Sequence, residues 1–205
     1  MKTEKSGFNS KLIHGGDFHD NLGSAVTPIY QTSTFSFKNA DHGARCFSGE
    51  DDGYIYTRLR NPTIEDLEKT VAELENGFGG IATSSGMAAV NTVYLGFLGA
   101  GEHIVSHNAV YGPSRMVMET LYPKFNVESS FVDATDINNV INAIRPNTKL
   151  IYLETPANPT IGISDIKAIS KIAHKRVFLS ALIILFAALI CKSLLILERI
   201  LFCTQ

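Results

Sequence analysis

An α/β fold with a mostly parallel sheet is what this sequence predicts, and three observations carry the prediction. Strand-like and helix-like segments alternate from about residue 80 to residue 175, the pattern of βαβ units. The strand-like runs are short and apolar, as buried parallel strands are. The helix-like runs repeat apolar residues at spacings of three and four behind good capping residues.

The elements follow in order. The first 60 residues are irregular and Gly-rich, with short aromatic runs such as Tyr30 to Phe37. They are expected to form an extended arm that gains burial on another domain or subunit. Asn61-Pro62 opens a helix, with Asn as N-cap and Pro at N1. Ile64, Leu67, Val71 and Leu74 form its expected buried stripe, Glu65 and Lys69 pair on an exposed face, and Gly77 is the expected C′ residue. Strands are expected at Gly80–Thr83, Glu102–Ser106, Val127–Val132 and Lys149–Leu153. Helices are expected from Ser84-Ser85-Gly86 through Leu98, over Ser114–Leu121, over Asp136–Ile144 and over Ser164–Lys175. The organisation is therefore an arm (1–60), an α/β domain (61–176) and an apolar tail (177–205).

Composition narrows the classes of function. A net charge of −2 over 205 residues gives no electrostatic footprint for nucleic acid or an anionic membrane surface. Three scattered cysteines, Cys46, Cys191 and Cys203, form no disulfide framework and have no zinc-site spacing, which suits a reducing, cytoplasmic setting. Met1 to Phe8 has lysines but no apolar stretch, so it does not read as a signal peptide. His103, His107 and His174 lack metal or triad spacing and read as structural. Cys46 shows no local activator.

Several motifs allow both a chemical and a structural reading. Ser84-Ser85-Gly86-Met87 stands at a strand-to-helix turn, which is either an anion site of free N–H groups or a simple N-cap. Arg58, after Tyr54-Ile55-Tyr56-Thr57, is either a phosphate ligand or a surface Arg beside an aromatic strand. Tyr111, before Gly112-Pro113, either stacks on a flat ligand or fills a turn. Glu154 and Asn158 lie beyond the carboxyl end of a strand, in a loop stiffened by Pro156 and Pro159. That edge is where open α/β sheets bind ligands, so the functional reading is favoured there.

Taken together these segments have the order and spacing of one family. The motifs are Gly43-Ala44-Arg45-Cys46-Phe47-Ser48-Gly49-Glu50, Tyr54-Ile55-Tyr56-Thr57-Arg58 with Asn61-Pro62-Thr63, Ser84-Ser85-Gly86-Met87-Ala88-Ala89, Tyr111-Gly112, and Leu153-Glu154-Thr155-Pro156-Ala157-Asn158-Pro159-Thr160. From about residue 8 to residue 175 the chain resembles the pyridoxal-phosphate enzymes of cysteine and methionine metabolism. These are methionine γ-lyase, cystathionine γ-lyase and β-lyase, and cystathionine γ-synthase. The Phe-Ser-Gly-Glu stretch resembles methionine γ-lyase most. The resemblance implies an arm plus part of the large domain of an aspartate-aminotransferase-like (fold type I) enzyme. It implies pyridoxal 5'-phosphate as cofactor and a sulfur amino acid as substrate. It also implies a homotetramer in which Tyr56 and Arg58 reach the neighbour's cofactor phosphate. Gly86 and Met87 would give N–H groups to the phosphate. Tyr111 would stack over the pyridine ring and help expel the thiol. Asn158 would bond the ring hydroxyl oxygen, with Glu154 in support.

There are departures from the family pattern. Pro113 stands where methionine γ-lyases often carry Cys. No Asp follows Asp165, and Lys167, Lys171, Lys175 and Lys192 lack the Ser-x-Thr-Lys setting of the family's Schiff-base lysine. Residues 177–191 carry no charge. The tail is read first as the product of a shifted frame or altered gene end. The alternatives are a buried strand and helix, or a membrane anchor. On the first reading the chain is a truncated, inactive lyase. A non-catalytic partner of an intact paralogue is the main alternative.

Overall fold

A parallel sheet organises residues 83–205. In the computed structural model, which describes residues 7–16, 19–157, 159–176, 179–184 and 200–204, its strands are β1 (His103–His107), β2 (Glu128–Val132), β3 (Thr148–Glu154), β4 (Leu179–Ile184) and β5 (Ile200–Thr204). Their order is β2-β1-β3-β4-β5, and every neighbouring pair is parallel. Parallel pairing sends the carboxyl ends of all the strands to one edge, the ligand-binding edge of open α/β sheets.

β3 lies between β1 and β4 and is buried on both faces. Its alternate residues feed two cores, as the period of two requires. Leu150 and Tyr152 join Ile104, Val90, Tyr94, Met118 and Tyr122. Ile151 and Leu153 join Val105, Val140, Ile169 and Ala173. The first core is covered by α4 (Gly86–Phe97) and by α5 (Gly112–Met116), which runs on as a π-helical turn, Val117–Leu121. The second is covered by α6 (Ile137–Ala143) and α7 (Ile166–Arg176). Tyr94 packs edge-on against Tyr122 and Tyr152, with ring centroids 5.4 and 5.0 Å away. Each fully buried Val, Leu, Ile or Met of these cores contributes about 1.5–3 kcal/mol by leaving water.

Residues 1–82 form the first of two compact units, and residues 83–205 the second. The first holds α1 (Phe8–His14), α2 (Ala40–Ser48) and α3 (Pro62–Glu75). α1 is tied to α3 by the Lys11–Glu73 ion pair at 2.8 Å. Asn61 caps α3 as expected, accepting from Thr63 N–H at 2.9 Å. Its amide also donates to the Tyr30 carbonyl and the Thr57 hydroxyl, so the buried cap holds the segments around Tyr30 and Thr57 as well.

Several expectations are corrected. The first 60 residues contain α1 and α2 and are not wholly irregular. Residues 80–83 form no strand: the Ala82 N–H donates to the Glu68 side chain at 2.7 Å instead of joining a ladder, and Gly79-Gly80 have no side chains to bury. The left-handed residue that ends α3 is Asn76 (φ 53°), with the Gly77 N–H closing on the Ala72 carbonyl at 2.7 Å. The apolar stripe of α3 is not buried, since Ile64 is 37% and Leu67 is 56% exposed. The helix expected at Ser114 starts at Gly112, because Pro113 suits its first turn. In the tail, residues 179–184 pair with β3, and residues 200–204 extend the sheet. Residues 185–199 lie outside the described residues. No helix among the described residues is long and apolar enough to cross a membrane.

Candidate cofactor site

In the second unit the site is built where α4 begins and where β3 ends. Ser85 is extended (φ −165°, ψ 161°), and its hydroxyl accepts from the Ala88 N–H at 3.1 Å. That satisfies one donor of the first turn. Gly86 and Met87 occupy that turn, whose N–H groups have no partner within the helix itself. The helix dipole adds positive potential at the same point. The cap reading holds, since Ser85 closes the turn, and it leaves the N–H groups beside it available to an anion.

Glu154 closes β3 and is fully buried. Its Oε2 accepts from the Tyr111 N–H at 2.6 Å, joining segments 43 residues apart. This buried carboxyl oxygen, as acceptor, fixes the backbone that carries the Tyr111 ring. Tyr111 itself is half-buried, and its carbonyl receives the Arg115 N–H at 3.1 Å as α5 starts. The loop beyond Glu154 is held by the Ala157 N–H to the Gly162 carbonyl at 3.0 Å and the Ser164 N–H to the Thr155 hydroxyl at 3.1 Å. Asn158 lies outside the described residues.

Ser114 was missed in the sequence. It is fully buried, its hydroxyl donates weakly to Met87 Sδ at 3.6 Å, and the Tyr152 hydroxyl donates to it at 3.5 Å. It thereby links α4, α5 and β3. The only available signal was its position three residues after Tyr111, one turn along the same helix face.

Tyr56 and Arg58 belong to the first unit. Tyr56 forms an antiparallel bridge with Thr34, and the Arg58 guanidinium lies 4.8 Å from the centre of its ring. Arg58 is exposed and lines a concavity of about 1020 Å³ with Thr57, Arg60, Asn61, Glu65 and Lys69. Beside it, burial pushes the Glu65 carboxyl up, but hydrogen bonds from Lys69, Tyr54 and Arg60 outweigh this and bring it down to about 2. Arg60 and Lys69 are thus already engaged by a carboxylate, whereas Arg58 stacks on an aromatic face.

His103 is structural. Its ring nitrogens lie 2.7 Å from the Thr148 hydroxyl and 2.9 Å from the Ser130 hydroxyl, and burial, helped by the charge of Arg145, lowers it to about 4.

The donor set of the second unit fits a phosphorylated aromatic ring. Helix N–H groups suit the phosphate, and the loop held by buried Glu154 presents a Tyr ring.

Comparison with known proteins agrees. The family model for Cys/Met metabolism PLP-dependent enzymes matches residues 9–194, running past Lys175, where the sequence motifs end. The chain is 48% identical over 173 residues to an L-methionine gamma-lyase of Treponema denticola, covering 84% of this chain and 43% of that protein. It is 40% identical over 164 residues to an O-acetyl-L-homoserine sulfhydrylase of Leptospira meyeri, covering 80% of this chain and 37% of that one. Among solved structures, cystathionine gamma-lyase from Lactobacillus plantarum superposes with a TM-score of 0.80 at 39% identity, covering 89% of this chain and 46% of that one. The chain spans less than half the length of the curated relatives it matches. With its parallel α/β sheet and this match over residues 9–194, the chain belongs to the Cys/Met metabolism PLP-dependent enzyme family.

Proposed function

We propose that this chain supplies the phosphate-side and ring-side groups of a carbon–sulfur lyase acting on a sulfur amino acid, of the methionine γ-lyase kind. The relatives at 48% and 47% identity are L-methionine gamma-lyases, which supports that choice; others of that name, at 40% and 39%, stand level with a sulfhydrylase at 40%. The observation that carries the reading is the buried Glu154 carboxylate holding the Tyr111 N–H at 2.6 Å. A buried polar group is costly unless hydrogen-bonded, so this one stands where something is held in place.

When bound, pyridoxal phosphate would serve as an electron sink for bond cleavage beside the amino group. The chain's own residues do the rest of what is proposed here. Gly86 and Met87 hold the phosphate through backbone N–H groups. Tyr111 stacks on the ring, and its hydroxyl moves a proton at the departing sulfur. Glu154 fixes the Tyr111 backbone. Asn158 orients the ring oxygen. Arg58 with Tyr56 offers a cationic contact to a second subunit's phosphate, within a homotetramer.

Equilibrium dialysis of the purified chain tests the reading. Pyridoxal phosphate should be retained and displaced by inorganic phosphate, while pyridoxal without phosphate is retained at least tenfold more weakly. Equal retention of both, or of neither, refutes it.

A further inference from the structure

We infer that His42, Cys46 and Asp51 form a binding site for a thiophilic divalent cation of the zinc class, in the first unit. His42 and Cys46 sit one turn apart on the same face of α2. Their Sγ and Nε2 atoms are 3.5 Å apart. Two ligands on one tetrahedral zinc, at about 2.3 Å for sulfur and about 2.0 Å for nitrogen, stand about 3.5 Å from each other. The third ligand arrives because α2 ends sharply. Gly49 is left-handed (φ 76°), and the Glu50 and Asp51 N–H groups both fold back on the Arg45 carbonyl. That returns Asp51 beneath the helix, with Oδ2 3.8 Å from His42 Nε2. The three ligand atoms all lie within 4.8 Å of one another.

Three further features bear on the site. Asp51 Oδ1 accepts from the Gly53 N–H at 3.2 Å, which leaves Oδ2 turned to the cluster. Gly53 also provides the space: a Cβ there would lie 2.6 Å from Cys46 Sγ and 3.3 Å from His42 Nε2. Cys46 is only 6% exposed, so the sulfur is shielded from bulk solvent while Asp51 remains reachable. Two groups must give way. The Arg45 guanidinium, 3.7 Å from Asp51 Oδ2, is half-exposed and free to swing outward. The Lys38 N–H donates to His42 Nδ1 at 3.1 Å, which puts the ring proton on Nε2. Coordination through Nε2 moves that proton to Nδ1, turns the exposed Lys38 N–H to water, and releases the Cys46 proton to solvent. Three protein ligands leave a fourth tetrahedral position for water or an external donor.

Cobalt(II) reports the site directly, because a thiolate ligand gives it a sulfur-to-metal charge-transfer band. The titration uses the full chain carrying Cys191→Ser and Cys203→Ser, which leaves Cys46 as the sole thiol. The expected result is one cobalt per chain with that band, bleached by an equivalent of zinc. His42→Gln and Asp51→Asn should each weaken binding at least tenfold. Gly53→Ala, which keeps all three ligands and fills the space between them, should do the same. Circular dichroism of each variant separates lost binding from lost fold. No charge-transfer band with the folded parent chain, or unchanged affinity in Gly53→Ala and His42→Gln, overturns the site.

Discussion

The helices α3 and α4 make a useful comparison. Both have a polar cap, Asn61 or Ser85, and both carry apolar residues at helical spacing. α4 buries its stripe: Val90, Val93 and Tyr94 are 7% exposed or less, against Ile104, Leu150 and Tyr152 of the sheet. α3 does not, and Leu67 stands 56% exposed. Periodicity reports which face a helix intends to bury. Whether the same chain supplies the covering surface is a separate matter, and for α4 the sheet supplies it.

The largest effect expected from that contrast lies in β3. Leu150→Ala should lose about 2–5 kcal/mol in urea unfolding, whereas Leu67→Ala should change stability by no more than about 0.5 kcal/mol. Comparable losses would show that α3 is buried in the solution state, as a covered oligomer face would be.

Next comes Glu154. Glu154→Ala leaves the Tyr111 N–H without its acceptor and should cost about 1–3 kcal/mol, with Glu154→Gln recovering part of it. If neither moves the midpoint, the bond does not hold the loop.

The pH dependence separates the two units. His103, in the second, has an ordinary value of 6.5 and is held near 4 by burial. The unfolded chain then binds the extra proton, so this stabilisation is complete above about 6.5 and is lost as pH falls towards 4. Glu65, in the first, falls from 4.5 to about 2, so its stabilisation is lost only between those values. Thermal melts from pH 7 to pH 3 should show the His103 loss first, and His103→Asn should flatten the upper part of the curve alone.

The smallest effect is the cap. Ser85→Ala should cost about 1 kcal/mol, and Ser85→Gly only a few tenths, read from the same urea transitions.

Legibility in the sequence follows what each residue depends on. The run Leu150 to Leu153 reads as a central strand because burial on both faces leaves it uniformly apolar. Ser85 and Asn61 read as caps because capping is local chemistry. Gly86, Met87, Tyr111 and Glu154 were singled out by their place at strand and helix ends, and the structure puts them at the start of α4, before α5 and at the end of β3. α2 was not read as a helix: Ala40–Ser48 is short, has low mean hydropathy and contains a Gly, and its well-segregated apolar and polar faces were passed over. The nearness of Asp51 to His42 and Cys46 depends on the left-handed turn at Gly49, which no spacing rule announces. Ser114 looked like an ordinary helix serine because its burial comes from α4 and β3, both distant in sequence. The bond from the Tyr111 N–H to Glu154 spans 43 residues and is equally invisible to local pattern.

Asn61 has one more consequence. The same amide ties two preceding segments to the start of the helix, with its nitrogen on Tyr30 and Thr57 and its oxygen on Thr63. Fraying of α3 at its first turn therefore cannot stay local. It releases the segment around Tyr30 and the turn after Tyr56 in one event. Amide hydrogens at Thr57, on the Ser33 carbonyl, and at Glu65, on the Asn61 carbonyl, should exchange with a common opening free energy although they sit in different elements.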